Sequence, residues 1–250
     1  MSDRRKVAFV TGAGSGIGRA TARLFAARGY ATVLADLNET GGREAETAIR
    51  QAGGEATFIS CNVADDASVK AAVDLAVATY GGLDAAFNAA GIEGENGNLT
   101  ADCTLDNWHK VIAVDLTGVW HCLRHQIPAM LASGGGAIVN CASTAGIRGA
   151  MTCGAYSAAK HGVVGLTKTA GLEYGSQGVR INAVCPGMIS TPMTQEGTMK
   201  DLIAEMVVHT PAGRFGQPEE IGQMVLWLCS DDASFVVGQA IAVDGALTSR

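Results

Sequence analysis

Short apolar runs alternate along this chain with longer segments whose apolar residues recur at helical spacing. The runs Val7–Thr11, Ala31–Asp36, Ala56–Ser60, Leu83–Asn88, Ala137–Cys141, Val179–Val184 and Ala240–Val243 predict seven strands. Helices are expected over Gly16–Arg28, Thr40–Ala52, Ala67–Tyr80 and Ala155–Tyr174. A long helix is expected from about Leu105 to Leu131, after a Gly-rich loop through Asn98, and a last one over Pro218–Cys229. Between Val184 and about Arg214 the pattern is irregular. The strands read as continuous apolar runs rather than alternating ones, as in strands buried on both faces. Strand–helix alternation predicts an α/β fold: a doubly wound, mostly parallel seven-stranded sheet with helices on both faces. No Pro/Ser-rich linker or charged break divides residues 1–250, so one domain is expected, with a substrate-binding lid at about 190–210. Ligands in such sheets bind beyond the carboxyl ends of the strands, at the switch in strand order.

Composition narrows the classes of function. Apolar residues make up 48% of the chain, enough for a substantial core. A formal net charge of −6, with no Lys/Arg run, argues against a nucleic-acid partner. The seven cysteines, Cys61, Cys103, Cys122, Cys141, Cys153, Cys185 and Cys229, are scattered without a C-x-x-C, and the five histidines are equally dispersed. That pattern predicts reduced thiols and no metal site. The N-terminus lacks the apolar core of a signal peptide, and no apolar run reaches membrane-spanning length. A soluble cytoplasmic protein is expected.

The chemistry begins at the first strand–helix junction. Gly12-Ala13-Gly14-Ser15-Gly16-Ile17-Gly18 follows the first strand and opens the first helix. Glycines there let the backbone approach a pyrophosphate, and the helix N-terminus offers unpaired N–H groups. Asp36 closes the second strand, where a carboxylate can accept hydrogen bonds from the adenosine ribose and would repel a 2′-phosphate. Neither Ser15 nor Leu37 supplies a cation to invite that phosphate, so NAD(H) is favoured over NADP(H). Without a ligand, the same residues would make a tight turn and a helix cap. In Tyr156-Ser157-Ala158-Ala159-Lys160 a phenol and an ammonium stack on one helix face. A free tyrosine has a pKa of about 10. A neighbouring cation would lower it toward the working range of a proton-transfer group.

Taken in order, these motifs resemble the short-chain dehydrogenase/reductase family over nearly the whole chain, and within it the alicyclic alcohol dehydrogenases. The family's turn matches Thr11 to Gly18, and its adenine-contacting pair resembles Asn62-Val63. Its Asn-x-Ala-Gly segment matches Asn88-Ala89-Ala90-Gly91; its serine, thirteen residues before the tyrosine, matches Ser143; its Pro-Gly turn matches Pro186-Gly187. The resemblance implies a Rossmann fold in which Tyr156 is the general acid/base, Ser143 orients the substrate oxygen, and Lys160 lowers the phenol's pKa and binds the nicotinamide ribose. It places Ile189 and Thr191 at the carboxamide and Asn88, Ala89 and Gly91 on the adenosine side. It also implies a homotetramer packed through the helices at 105–131 and 155–174, with a second interface at the C-terminal strand. Two positions depart from the pattern: Ala89 stands where a second Asn is usual, and Asp115 where an Asn holds the water of the proton relay. Asp115 could still hold a water, with its charge altering the relay.

The substrate pocket is expected from Glu93–Asn98, Ala145–Cys153, Gly187–Met188 and Ser190–His209. No Arg or Lys is placed clearly inside it, Arg148 being nearest, so a small alicyclic or aryl-alkyl secondary alcohol or its ketone is favoured over an anionic substrate. The alternatives are a nucleotide sensor that lost catalysis, an NADPH-dependent reductase, or one acting on sugars, steroids or cyclic diols.

Overall fold

The computed structural model describes residues 4–196 and 207–249. Seven parallel strands form a single sheet in the order β3-β2-β1-β4-β5-β6-β7. They are β1 (Val7–Thr11), β2 (Ala31–Asp36), β3 (Glu55–Ser60), β4 (Ala85–Asn88), β5 (Gly136–Cys141), β6 (Val179–Pro186) and β7 (Ala240–Val243). The chain runs outward from β1 to β3, then returns to place β4 on the other side of β1. The switch point therefore lies beyond Thr11 and Asn88, which pair directly.

Alternate residues of each strand feed two cores. Val7, Phe9, Val33, Ala86 and Ile138 pack on one face against α3 (Asp66–Tyr80), α5 (Gly118–Ala132) and α6 (Gly154–Tyr174). Ala8, Val10, Leu34, Phe87 and Val139 pack on the other against α1 (Gly16–Ala27), α2 (Glu39–Gln51) and a C-terminal helix, α8 (Pro218–Leu228). All five residues of β1 are buried, so the strand loses its polar alternation because both faces are covered.

The long helix expected from Leu105 to Leu131 is instead three segments: α4 (Leu105–Val111), a π-helical turn Ile112–Thr117, and α5. A π turn adds a residue to the winding and often marks a functional position; here it carries Asp115. Within the irregular region lies a short helix, α7 (Pro192–Glu196), preceded by a bridge between Ile189 and Gly216. Much of the expected lid falls on residues 197–206, outside the described residues.

Buried amides lock β4 to β5. Asn88 Nδ2 donates to Gln126 Oε1 (3.0 Å) and Asn140 Oδ1 (2.9 Å), and Gln126 Nε2 donates back to Asn88 Oδ1 (2.8 Å). Asn140 Nδ2 then donates to Thr167 Oγ1 (3.0 Å), reaching α6.

Candidate active site

The first strand ends at a hydroxyl that ties two turns together. Thr11 Oγ1 accepts the N–H groups of Ala89 (3.0 Å) and Ala90 (3.1 Å), binding the glycine turn to the segment after β4. Gly12 follows with φ +64°, and a Cβ there would sit 2.9 Å from Ala90 N, so the approach needs glycine. Ser15 caps α1 with extended backbone and makes no side-chain cap, and the first turn holds no acidic residue. Its leading N–H groups are left for an anion.

Asp36 braces this turn. Its Oδ2 accepts from Gly14 N–H (2.7 Å) and its Oδ1 from Asn38 N–H (2.7 Å). Each oxygen keeps lone-pair capacity for a ribose hydroxyl. Arg19 also serves the turn, donating to the Gly14 and Gly41 carbonyls and pairing with Glu44 at 3.5 Å. Sequence reasoning placed Thr11 in the turn motif without its bridging role and missed Arg19, whose one signal was its place just after the glycine turn.

From the turn, a cavity of about 530 Å³ runs along the carboxyl edge of the sheet. Gly12, Ser15, Gly16, Ile17 and Gly18 line one end with Asp36, Leu37, Asn62 and Val63. Ala89, Gly91, Pro186, Gly187, Ile189 and Thr191 continue it, and Asp115, Ser143, Tyr156 and Lys160 close the wall. Asn88 is the exception: it is 1% exposed and absent from the lining, because its amide is spent in the network joining β4 to β5. The backbone of Ile189 is also engaged, its carbonyl accepting from Thr194 Oγ1 (2.7 Å).

Tyr156 and Lys160 lie one turn apart on α6, the ammonium 5.4 Å from the phenol ring centroid. Lys160 is 4% exposed and donates to the Cys141 carbonyl at the end of β5 (3.0 Å). Ser143, two residues beyond that carbonyl, lines the same wall with its Oγ accepting from Ala145 N–H (3.1 Å). Asp115 is fully buried, its Oδ1 accepting from Ile92 N–H (2.8 Å) and its Oδ2 3.2 Å from Lys160 Nζ. That second contact has ion-pair distance without hydrogen-bond alignment, since Oδ2 has no hydrogen-bond partner.

Lys160 lowers the phenol's pKa as expected, but burial sets the net direction. Burial pushes the Tyr156 phenol above its ordinary value; Asp115 and Cys141 add to this, while Lys160 and the Ser143 hydroxyl pull it down without prevailing. Burial works against the Lys160 ammonium, but Asp115, with Tyr156 and Cys141, outweighs it and holds the ammonium above its ordinary range. Burial likewise raises the Asp115 carboxyl against the opposing pull of Lys160 and the Ile92 amide.

The substrate end departs from expectation in its charge. Glu93, Asn96, Ala145, Ala150, Cys153 and Met188 line it as the pattern suggested, but so do Arg148 and Lys110, both exposed side chains. The cavity thus has two cations and the Glu93 carboxylate on its walls at this end.

A phosphate-ready turn at the switch of a parallel sheet, with serine, tyrosine and lysine on the facing wall, defines a nucleotide-dependent oxidoreductase site. The chain belongs to the short-chain dehydrogenase/reductase family, whose fold implies a nicotinamide cofactor. Residues 12–248 match the family described as enoyl-(acyl carrier protein) reductase. The chain is 49% identical to cyclohexanol dehydrogenase of Acinetobacter sp. (strain SE19), over 98% of this chain and 96% of that protein. It is 44% identical to cis-4-hydroxycyclohexanecarboxylate dehydrogenase of Sinomonas cyclohexanicum, over 98% and 97%. Its fold matches the crystal structure of levodione reductase with a TM-score of 0.94 at 38% identity, covering 98% of each chain. It also matches a single-substitution variant of actinorhodin polyketide ketoreductase with NADPH, at 0.93 and 37%, covering 98% of each.

Proposed function

We propose that this protein is an NAD(H)-dependent dehydrogenase that interconverts a small alicyclic secondary alcohol and its ketone. The observation that carries the reading is the convergence of Ser143, Tyr156 and Lys160 on one wall of the cavity whose far end is the glycine turn braced by Asp36. The residues fit a dinucleotide: the turn and the uncapped start of α1 would hold the pyrophosphate, and Asp36 the adenosine ribose. When bound, nicotinamide supplies the hydride acceptor or donor. The chain's own residues handle the rest. In the oxidising direction Tyr156 Oη takes the hydroxyl proton as the carbinol C–H electrons leave; in reduction it returns that proton to the carbonyl oxygen. Ser143 Oγ donates a hydrogen bond to the same oxygen and fixes it beside the phenol. Lys160, held through Cys141 O and Asp115, stabilises the phenolate that forms.

Asp36 supports NAD(H), since its carboxylate stands at the turn and neither Ser15 nor Leu37 offers a cation. The cyclic-alcohol substrate is supported by the apolar residues of the pocket and by the activities for which the relatives are named. Arg148 and Lys110 on the wall favour a second reading, in which the ring bears a carboxylate. We also infer a homotetramer, for which the exposed Trp120 (43%) on α5 and Leu172 (87%) on α6 offer apolar surface.

Tyr156→Phe is expected to reduce kcat by about 10²-fold or more while NADH binding stays largely intact; undiminished turnover would sink the assignment. A panel of cyclohexanols with and without a ring carboxylate, run with both cofactors, separates the substrate readings. Arg148→Ala should raise KM for the carboxylate-bearing members alone if the second reading holds.

A further inference from the structure

Lys160 and Asp115 carry opposite charges 3.2 Å apart on the cavity wall, 4% and 0% exposed. Their surroundings are limited. Tyr156 faces them from α6, the Cys141 thiol and carbonyl from β5, and the Gly91 and Ile92 backbone from the loop after β4. Among the described residues, no other cation is near enough to perturb Tyr156, Lys160 or Asp115. Gly91 brings the loop against the pair: a Cβ there would lie 3.1 Å from Asp115 Oδ2 and 3.4 Å from Lys160 Nζ. The ions therefore sit directly behind the groove.

An ammonium alone in that wall would act on the cavity as a positive monopole through a low-dielectric medium. A carboxylate beside it leaves a dipole, whose field weakens much faster with distance. The distinction matters for a ligand that changes charge. The oxidised nicotinamide ring is cationic and the reduced ring neutral, so only the oxidised form would meet full repulsion from an unpaired Lys160. We propose that Asp115 is a fixed counter-charge to Lys160 that lets the site take up the oxidised dinucleotide, with its cationic ring, without the repulsion an unpaired Lys160 would impose. It is a positioning and charge-balancing residue, since it acts through Lys160. The proposal rests on the dehydrogenase reading above, which puts the nicotinamide at the Tyr156 end of the groove.

The test is a pair of dissociation constants, for NAD+ and NADH, measured by calorimetry on the wild-type protein and on Asp115→Asn. The asparagine retains an oxygen to accept the Ile92 N–H. Affinity for NAD+ is expected to fall about fivefold and that for NADH by less than about twofold. Ultraviolet titration of the phenolate, with Tyr156→Phe as the blank, should show the phenol deprotonating at lower pH in the variant. Equal loss of both affinities, or no change in their ratio, would overturn the proposal by marking Asp115 as merely structural. If Asp115→Asn does not fold by circular dichroism, Asp115→Ser is measured in the same way. Because these readouts need no turnover, their failure is distinct from that of the dehydrogenase reading, which Tyr156→Phe tests.

Discussion

At the scale of single residues, the site is a contest between burial and neighbouring charge. Tyr156 sits beside an ammonium, yet its phenol is pushed upward because burial outweighs Lys160 and because Asp115 and Cys141 oppose it. The sign has a kinetic consequence. Alcohol oxidation uses the deprotonated phenol, so kcat/KM for oxidation should keep rising with pH into the alkaline range, while ketone reduction persists there. A reduction rate that collapses just above neutral pH would contradict this order. The same burial makes Lys160 structurally expensive to remove. Lys160→Met leaves the buried Asp115 carboxylate without its counter-charge and should destabilise the fold by about 3–5 kcal/mol in denaturant melts. Adding Asp115→Asn should restore much of that loss, since the orphaned charge goes with it.

At the scale of elements, strand ends are held by side chains whose work the sequence pattern did not reveal. Asn88 closes β4 in a motif that suggests cofactor contact, but its amide turns inward to Gln126 and Asn140. Gln126 is fully buried in the middle of α5, where polarity alone would suggest a solvent-facing residue. Gln126→Leu should cost about 1–3 kcal/mol in a melt by leaving the Asn88 amide unmatched. At the end of β2, Asp36 has a double role, bracing Gly14 and facing the groove. Asp36→Ala should therefore admit NADP(H) and also weaken NAD(H), measured as the ratio of kcat/KM for the two cofactors. A variant that stays blind to NADP(H) would assign Asp36 to the turn alone. The π turn at Ile112–Thr117 was likewise invisible. Its residues read as continuous helix, and only the packing of α4 and of the turn itself on α6, with the Ile92 N–H donated to Asp115 from the loop after β4, goes with the winding that turns Asp115 inward.

At the scale of the whole molecule, two cores sandwich a parallel sheet, and the cavity opens where the strand order reverses. Binding to that edge ties β1, β4, β5 and β6 into one ligand site. Saturating NADH should raise the melting temperature in proportion to the logarithm of its concentration. The exposed Trp120 and Leu172 bear on assembly. If α5 and α6 pack between subunits, Leu172→Glu should shift the mass in light scattering from tetramer toward smaller species.

Much was determined by the chain alone. The seven strands, the burial of the central ones on both faces, the glycine turn, Asp36 and the Tyr156–Lys160 spacing follow from local periodicity and from backbone rules that act over a few residues; the edge strands β3 and β7 are only partly buried. Only the tertiary structure decided which polar groups share the wall. It set Lys160 against Asp115 across 45 positions of chain, sent Asn88 into the core, and brought Arg148 and Lys110 to the cavity. The reason is physical. Periodicity fixes which face of an element is apolar, whereas the partners of a buried charge depend on how elements distant in sequence are packed, and on the burial that makes those partners matter.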